Sequence, residues 1–348
     1  MRIVVASTYV PFLSGGGIKV PYDLATALRR AGHQVETVMI PMYSDWPRIA
    51  EQTVAIRLLN LTESCGDRID RLITVRTPAY ALSHPDKVVW FLHHHRAAYD
   101  LWGTPFGDMP DSPDAQEARD MMVRSDTVYL REARRVYTIS RAVADRIRKF
   151  NGLEPDGVLY PPLLSDHPFR PGPFGDYFIY ASRFCPHKRQ DLAIRAMQYV
   201  RSGCRLVLAG APDVPGYDRE LMELARQLGV ADRVEFVGWL SQEQNAEQHA
   251  GCRAALALPY DEDYGYVTLE PLHAGKPVIT CNDSGGGLEL IEDGFNGLVT
   301  EPDPRAVAEA MDRLWVDRIE AEAMGRQAFL TPEALGITWD RVVEGLAA

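Results

Sequence analysis

Residues 176–210 read DYFIYASRFCPHKRQDLAIRAMQYVRSGCRLVLAG and contain one complete strand-helix-strand unit. DYFIYASR and CRLVLAG are short apolar runs typical of buried parallel strands, and QDLAIRAMQYV between them has helical spacing. The alternation continues through the helix DRELMELARQLG, the strand RVEFVGW, the helix SQEQNAEQHAGC and the strand AALALPY. Strands that alternate with helices at this spacing predict a parallel sheet covered by helices.

The beginning of the chain carries the same pattern. MRIVVAS and HQVETVMI are predicted strands on either side of the helix KVPYDLATALRRAG, and RLITVR and KVVWFLHHH are two further strands. Residues 151–174 are rich in Pro and Gly and lack helical spacing, which indicates a linker. A length of 348 residues also fits two domains better than one.

The predicted fold class is therefore α/β, with two Rossmann-like, doubly wound domains facing across a cleft. We place the first domain at residues 1–160, the second at 161–325, and C-terminal helices that pack back on the first domain at 326–348. This tail reads as two helical pieces broken near Thr331 and Pro332. Trp339 is a large apolar residue in a charged segment, so we expect it to contact the first domain.

Composition limits the functional classes. The apolar share of 46% and the charged share of 24% are those of a folded, water-soluble protein. A net charge of -11 disfavours nonspecific nucleic-acid binding. The five cysteines are widely spaced, and the N-terminus lacks the features of a signal peptide. We expect a cytoplasmic protein, with at most transient contact at the inner face of a membrane.

Two cations follow the first strand of the second domain. Arg183 and Lys188 lie in the predicted loop between that strand and the next helix. A strand end, a helix N-terminus and two cations together form a plausible clamp for a diphosphate. An ordinary pair of surface cations is the alternative.

The stretch LPYDEDYGYVTLEPLHAG, residues 258–275, contains two glutamates eight positions apart. Glu262 falls in an acidic loop and Glu270 in the apolar, helical segment that follows. Two carboxylates from different backbone elements are thus predicted to face one site. A glycine triplet, Gly285–Gly287, then precedes a short turn that carries Glu289.

The first domain offers weaker candidates. The triplet Gly15–Gly17 precedes a predicted helix N-terminus, which suits an anion, although a plain turn is the alternative. His93 and His95 lie at the predicted C-terminal end of a strand, the edge that faces ligands in open α/β sheets. A metal site and structural histidines are the competing interpretations. The basic residues between 131 and 149 indicate a solvated helix face or a patch for an anionic acceptor or membrane.

These features together resemble the retaining glycosyltransferases of the GT-B fold, family 4. The resemblance rests on the glycine loop before LATALRRAGHQVETV, and on ISRAVADRI, RFCPHKRQDLAIRA, RVEFVGWLS, the two glutamates and GGGLELIEDGFNGLV. It implies an acceptor-binding first domain and a second domain that binds the nucleotide sugar.

The resemblance also implies roles for individual residues. Arg183 and Lys188 would neutralise the donor diphosphate, while Glu270 would hold the ribose and Glu262 the transferred sugar. His93, with His95 as second choice, would lie beside the sugar. Further donor-binding residues are implied at Gly16, Gly17, Gly265, Tyr266 and Val267.

We therefore predict a hexosyltransferase of polysaccharide biosynthesis that moves a sugar to a glycan or lipid-linked acceptor. Its catalytic residues would be His93 and Glu262; it would need no metal and no cofactor, and a UDP- or GDP-linked sugar would be its co-substrate. The resemblance implies same-face attack with retention. The alternatives are a nucleotide-sugar epimerase of the same fold, a catalytically silent sugar-nucleotide-binding subunit, or metal binding by the D-x-D sequence Asp261–Asp263.

Overall fold

The computed structural model describes residues 1–12, 16–43, 45–164 and 167–348. The chain divides into two units, Met1–Pro162 with Ile337–Ala348, and Leu163–Gly336. The division falls inside the predicted Pro-rich linker, two residues beyond the predicted boundary at 160. Among the described residues, no helix combines the length and the apolar character needed to cross a membrane.

The first unit is a parallel sheet with helices connecting its strands. Its elements are β1 (Arg2–Tyr9), α1 (Gly16–Arg30), β2 (Gln34–Pro41), α2 (Trp46–Arg57), β3 (Glu63–Ser64), β4 (Asp67–Arg68), β5 (Arg71–Thr74), β6 (Lys87–Phe91), α3 (Pro113–Arg131), β7 (Arg135–Thr138), α4 (Arg141–Asn151) and β8 (Gly157–Val158). The sheet order is β2-β1-β5-β6-β7-β8, with all neighbours parallel, and β3 and β4 form a separate antiparallel pair.

Local sequence explains where the helices of this unit begin and end. The side chain of Ser112 accepts a hydrogen bond from the Ala115 amide at the start of α3. Ser140 caps α4 in the same way through the Val143 amide. Gly152 ends α4 in the left-handed conformation that glycine adopts without steric cost.

The second unit has the strand order of a dinucleotide-binding domain. It comprises β9 (Tyr177–Ala181), α5 (Gln190–Ala196), β10 (Arg205–Ala209), α6 (Tyr217–Gln227), β11 (Val234–Gly238), α7 (Gln242–Gly251), β12 (Ala254–Ala257), α8 (Tyr266–His273), β13 (Val278–Cys281), β14 (Gly297–Thr300), α9 (Pro304–Val316) and α10 (Arg318–Ala334). Its parallel order is β11-β10-β9-β12-β13-β14, equivalent to 3-2-1-4-5-6.

The predicted fold class of two Rossmann-like domains is confirmed. Burial explains why: β5, β6, β12 and β13 are buried along their whole lengths, so they read as continuous apolar runs and not as alternating ones. In the second unit the order of connections reverses between β9 and β12. Ligands of such sheets bind at the carboxyl ends of the strands at this reversal.

Three details differ from the predictions. Helix α2 was not predicted, because its apolar residues do not form a clear helical stripe. Pro332 lies within α10 and not at a break, and the helix continues two residues past it to Ala334. Gly336, with a φ of +64°, follows the end of the helix. Residues 326–336 therefore belong to the second unit, and the part of the tail in the first unit begins at Ile337.

The last helix, α11 (Trp339–Ala347), belongs to the first unit. The Trp339 ring lies edge-on to Trp90 of β6, with 6.1 Å between the centroids. Arg71 donates a hydrogen bond to the Leu346 carbonyl at 3.0 Å, and Leu346 is fully buried. The contact expected for Trp339 is present, and it is made by one helix and not by the whole predicted tail.

Candidate functional site

The second unit brings Lys188 and Glu262 together at the reversal of strand order. Lys188 follows β9 and Glu262 follows β12, and these two strands are neighbours in the sheet. The Lys188 ammonium and the Glu262 carboxylate form an ion pair, with side-chain exposures of 9% and 13%. A shielded pair of opposite charges therefore lies at the edge where this fold binds ligands.

A buried tyrosine positions the backbone of Lys188. The Tyr180 hydroxyl of β9 donates to the Lys188 carbonyl and accepts a hydrogen bond from the Leu258 amide at 3.2 Å. Burial raises the pKa of Tyr180, so its hydroxyl stays protonated and keeps its hydrogen to donate. The loops after β9 and β12 are thus joined through one side chain.

Glu262 is held from its other side by the glycine triplet. The Gly286 amide donates to the Glu262 carbonyl at 2.7 Å, and the Glu262 amide donates to the Ser284 carbonyl at 3.1 Å. Gly285 has a φ of +68°, and a Cβ there would lie 2.6 Å from the Glu262 nitrogen. Only glycine allows so close an approach of these two backbone segments.

Helix α8 carries the second glutamate. Gly265, with a φ of +84°, turns the chain into the helix, and Tyr266 and Val267 form its first residues. Glu270 lies one turn further along, and its Oε2 accepts a hydrogen bond from the Asn245 amide group at 3.0 Å. The predicted placement of Glu262 in a loop and Glu270 in a helix is confirmed.

Arg183 lies in the predicted loop, after β9 and before α5. Its side chain is 48% exposed and binds Asp213 at 2.5 Å. Arg183 and Lys188 thus have different carboxylate partners in this structure, Asp213 and Glu262. The shared diphosphate clamp stays a prediction.

In the first unit, the three histidines follow β6, which ends at Phe91; they are not part of the strand as predicted. His94 is buried: its Nε2 lies 2.7 Å from Asn151 Oδ1, and its ring stacks on Tyr99 at 4.0 Å. His93 and His95 are half-buried. The contacts of His94 therefore determine the orientation of this segment, and the choice between His93 and His95 stays a prediction.

Gly16 and Gly17 begin helix α1, while Gly15 lies outside the described residues. A Cβ on Gly17 would lie 3.7 Å from Leu92 Cδ2, so the helix start lies against the segment that leads into the histidines. The glycine and histidine candidates of this unit are thus neighbours.

Two histidines and one cysteine near the two glutamates are neutral at pH 7. Burial lowers the pKa of His273, one turn after Glu270, to about 4, and does the same for His249 in α7. Burial also raises the pKa of the Cys185 thiol to about 11. Among the described residues, no group of three or more His, Cys, Asp or Glu is placed to hold a metal ion.

Three residues near the site were not predicted. Asn245 binds Glu270, and Arg189 binds Asp283 through two hydrogen bonds. Asn245 is 25 residues before Glu270 in an ordinary polar helix, and Arg189 and Asp283 are 94 residues apart. No local pattern relates such pairs, since they meet only when the sheet forms.

Two family models match the chain, one in each unit. Residues 173–331 match the model described as glycosyl transferases group 1. Residues 3–158 match the model described as starch synthase catalytic domain.

Two curated relatives are similar over part of their lengths. A D-inositol 3-phosphate glycosyltransferase of Acidothermus cellulolyticus is 28% identical over 291 residues, which cover 72% of this chain and 62% of that protein. A GDP-mannose-dependent alpha-(1-6)-phosphatidylinositol monomannoside mannosyltransferase of Mycobacterium tuberculosis is 37% identical over 157 residues, or 41% of this chain and 39% of that protein. The chain thus spans less than two thirds of either relative.

A solved structure shares the fold over nearly the whole chain. The Anabaena protein Alr3699/HepE, crystallised in complex with UDP and glucose, has a TM-score of 0.72 and 18% identity, with 99% of both chains covered.

Proposed function

We propose that the chain is a group 1 glycosyl transferase of the GT-B fold and that it transfers a hexose from a nucleoside-diphosphate sugar. The observation that carries the proposal is the contact between Lys188 and Glu262 where β9 and β12 end, beside the helix that bears Glu270. The cation and the helix N-terminal amides suit the phosphates of such a donor, and the two carboxylates suit the hydroxyls of its sugar and ribose.

Each group then has a chemical task. Lys188 and Arg183 neutralise the diphosphate, and the amides of Gly265, Tyr266 and Val267 at the start of α8 support them. Glu270 accepts hydrogen bonds from the ribose hydroxyls. Glu262 does the same for the transferred sugar, which lies between it and the diphosphate.

The reaction breaks the bond between the sugar C1 and the phosphate oxygen, and the electron pair leaves with the diphosphate. Fixed cations and amides stabilise this developing charge without a metal ion or cofactor. The acceptor hydroxyl attacks from the face that the diphosphate leaves, which retains the anomeric configuration. Its proton passes to a departing phosphate oxygen. His93, close to Gly16 and Gly17 at the start of α1, contacts the sugar or the acceptor.

The relatives suggest the chemistry of donor and acceptor. One is named for an inositol phosphate and one for GDP-mannose and a phosphatidylinositol mannoside, while the Anabaena structure contains UDP. We propose a UDP- or GDP-linked donor and a glycan or lipid-linked acceptor. The reaction would take place in the cytoplasm, with at most transient membrane contact.

A thermal-shift screen against UDP, GDP, ADP and their sugar conjugates identifies the donor, because a ligand that binds the native state raises its stability. With that donor, we expect Lys188→Ala and Glu270→Ala each to lower turnover by about 100-fold or more while the protein stays folded. Arg226→Ala, which removes an exposed cation of α6 in the same unit, is the matched control. Wild-type rates in either site variant would refute the assignment.

Metal dependence is tested with the same assay. We expect activity to persist in excess chelator, because protein cations stabilise the leaving group. Activity that disappears in chelator and returns with manganese would instead favour metal binding by the D-x-D sequence.

A further inference from the structure

Arg189 has a conformation that is unusual for its residue type. Its φ of +53° and ψ of 43° lie in the left-handed region, where few non-glycine residues are found. Its side chain is mostly buried and makes four hydrogen bonds. The guanidinium donates to both carboxylate oxygens of Asp283 at 2.8 and 2.7 Å, to the Leu258 carbonyl at 2.6 Å and to the Pro259 carbonyl at 2.8 Å.

These hydrogen bonds join three loops at the carboxyl edge of the second sheet. The first loop, 182–189, follows β9; the second, 258–265, follows β12; and the third, 282–287, follows β13. The first two loops carry Lys188 and Glu262 of the proposed donor site, and the third carries Gly285, which packs against Glu262. Arg189 thus contacts backbone or side-chain atoms of both other loops.

Backbone hydrogen bonds depend on the same arrangement. The Tyr260 amide donates to the His187 carbonyl at 2.7 Å, and the Asp261 amide donates to the Asp283 carbonyl at 2.9 Å. These two bonds lie directly beside the residues that Arg189 joins. Without the guanidinium, the Leu258 and Pro259 carbonyls and the Asp283 carboxylate would each lose a charged donor.

The geometry suits arginine in particular. Two parallel N–H groups meet the two carboxylate oxygens, and the remaining donor groups reach two carbonyls, which a lysine ammonium could not do from one position. Lys188, the preceding residue, points instead to Glu262. Two consecutive cations therefore have separate tasks, one facing the ligand site and one holding its loops.

We propose that Arg189 and Asp283 are a positioning pair that holds the three loops in the arrangement that binds the donor diphosphate sugar. The proposal rests on the proposed function for the identity of the ligand. Neither side chain needs to touch the donor, because the pair acts through the placement of Lys188 and Glu262.

The variants Arg189→Gly, Asp283→Ala and the double variant test the pair. Glycine suits the left-handed backbone at position 189, so Arg189→Gly removes the side chain without strain. Asp283→Ala provides a second route if the first variant folds poorly. Arg313→Ala is the matched control, because it removes another two-bond pair, with Glu320, from the same unit.

The first measurement is calorimetric binding of UDP-glucose and GDP-mannose. For the donor that wild type binds, we expect each single variant to weaken binding by about 10- to 100-fold, since small displacements of binding groups have effects of this size. The double variant should bind as weakly as Arg189→Gly, because the Asp283 carboxylate acts through the guanidinium that Arg189→Gly already lacks. Arg313→Ala should bind as wild type does. Equal affinities in wild type and both single variants would overturn the proposal.

The second measurement is amide hydrogen exchange without ligand, which does not depend on the proposed function. Arg189→Gly should speed exchange at Asp261 and Glu262 by about 10-fold or more and leave the β10 amides unchanged. Unchanged exchange at both residues would refute the pair. If wild type binds no nucleotide sugar while exchange still rises, the proposed function and the donor role fail, and only the joining of the loops stands.

Discussion

Single residues around Glu270 show how a fully buried side chain positions a partly buried one. Asn245 donates to Glu270, and the backbone carbonyl of Asn245 accepts a hydrogen bond from His249 Nδ1 at 2.8 Å. His249 is fully buried, and burial lowers its pKa to about 4. The neutral imidazole thus stabilises the turn of α7 that presents Asn245 to the carboxylate.

This environment predicts a dependence of stability on pH. The folded-state pKa of His249 lies below the unfolded value of 6.5, so its contribution is fully present above pH 6.5 and is lost as the pH falls towards 4. From pH 7 to pH 5, wild type should lose about 2 kcal/mol of unfolding free energy relative to His249→Phe. Urea unfolding of both proteins at several pH values measures this difference, and parallel pH profiles would contradict it.

At the scale of elements, the site consists of loops that follow neighbouring parallel strands. The loops after β9, β12 and β13 hold one another through backbone hydrogen bonds and through the pair of Arg189 and Asp283. A loop that packs this closely against another requires a residue without a side chain. Gly285 fills this position against Glu262.

Gly285→Ala should therefore damage the site more than a glycine substitution of the same backbone type elsewhere. Gly294 has a similar φ of +74° but no atom within 4 Å of an added Cβ, so Gly294→Ala is the matched control. We expect Gly285→Ala to cost about 1–3 kcal/mol more than the control, because the added methyl overpacks the contact. It should also weaken donor binding, while Gly294→Ala should not. Denaturant unfolding and calorimetry check both effects, and equal losses would argue against the contact.

At the scale of the whole molecule, the two ends of the chain belong to the same unit. Residues 337–348 return to the unit that begins at Met1, after the second unit has been completed at Gly336. Leu346 and Val342 are buried there, and Trp339 lies against Trp90. The first unit therefore depends on residues at both ends of the chain.

Leu346→Ala should destabilise the first unit selectively. Removing a fully buried leucine side chain costs about 2–5 kcal/mol, whereas Leu330→Ala in α10 changes a residue that is 54% exposed. Limited proteolysis should show faster cleavage within residues 1–162 for Leu346→Ala and a wild-type pattern for Leu330→Ala. Faster cleavage confined to residues 163–336 would contradict the division of the chain.

The sequence by itself determined the fold class and the elements that carry the site. Continuous apolar runs separated by amphipathic segments are sufficient to predict parallel sheets covered by helices, because burial of both sheet faces imposes that pattern. The amino-acid sequence also predicted Lys188 in a loop after the first strand of its domain, Glu262 in a loop and Glu270 in a helix.

Tertiary structure alone decided which residues meet. The pairing of Lys188 with Glu262 spans 74 residues, and that of Arg189 with Asp283 spans 94. Sheet order brings these residues together, and no local period encodes that order. The orientation of the histidines and the assignment of residues 326–336 to the second unit depended likewise on packing partners distant in the chain.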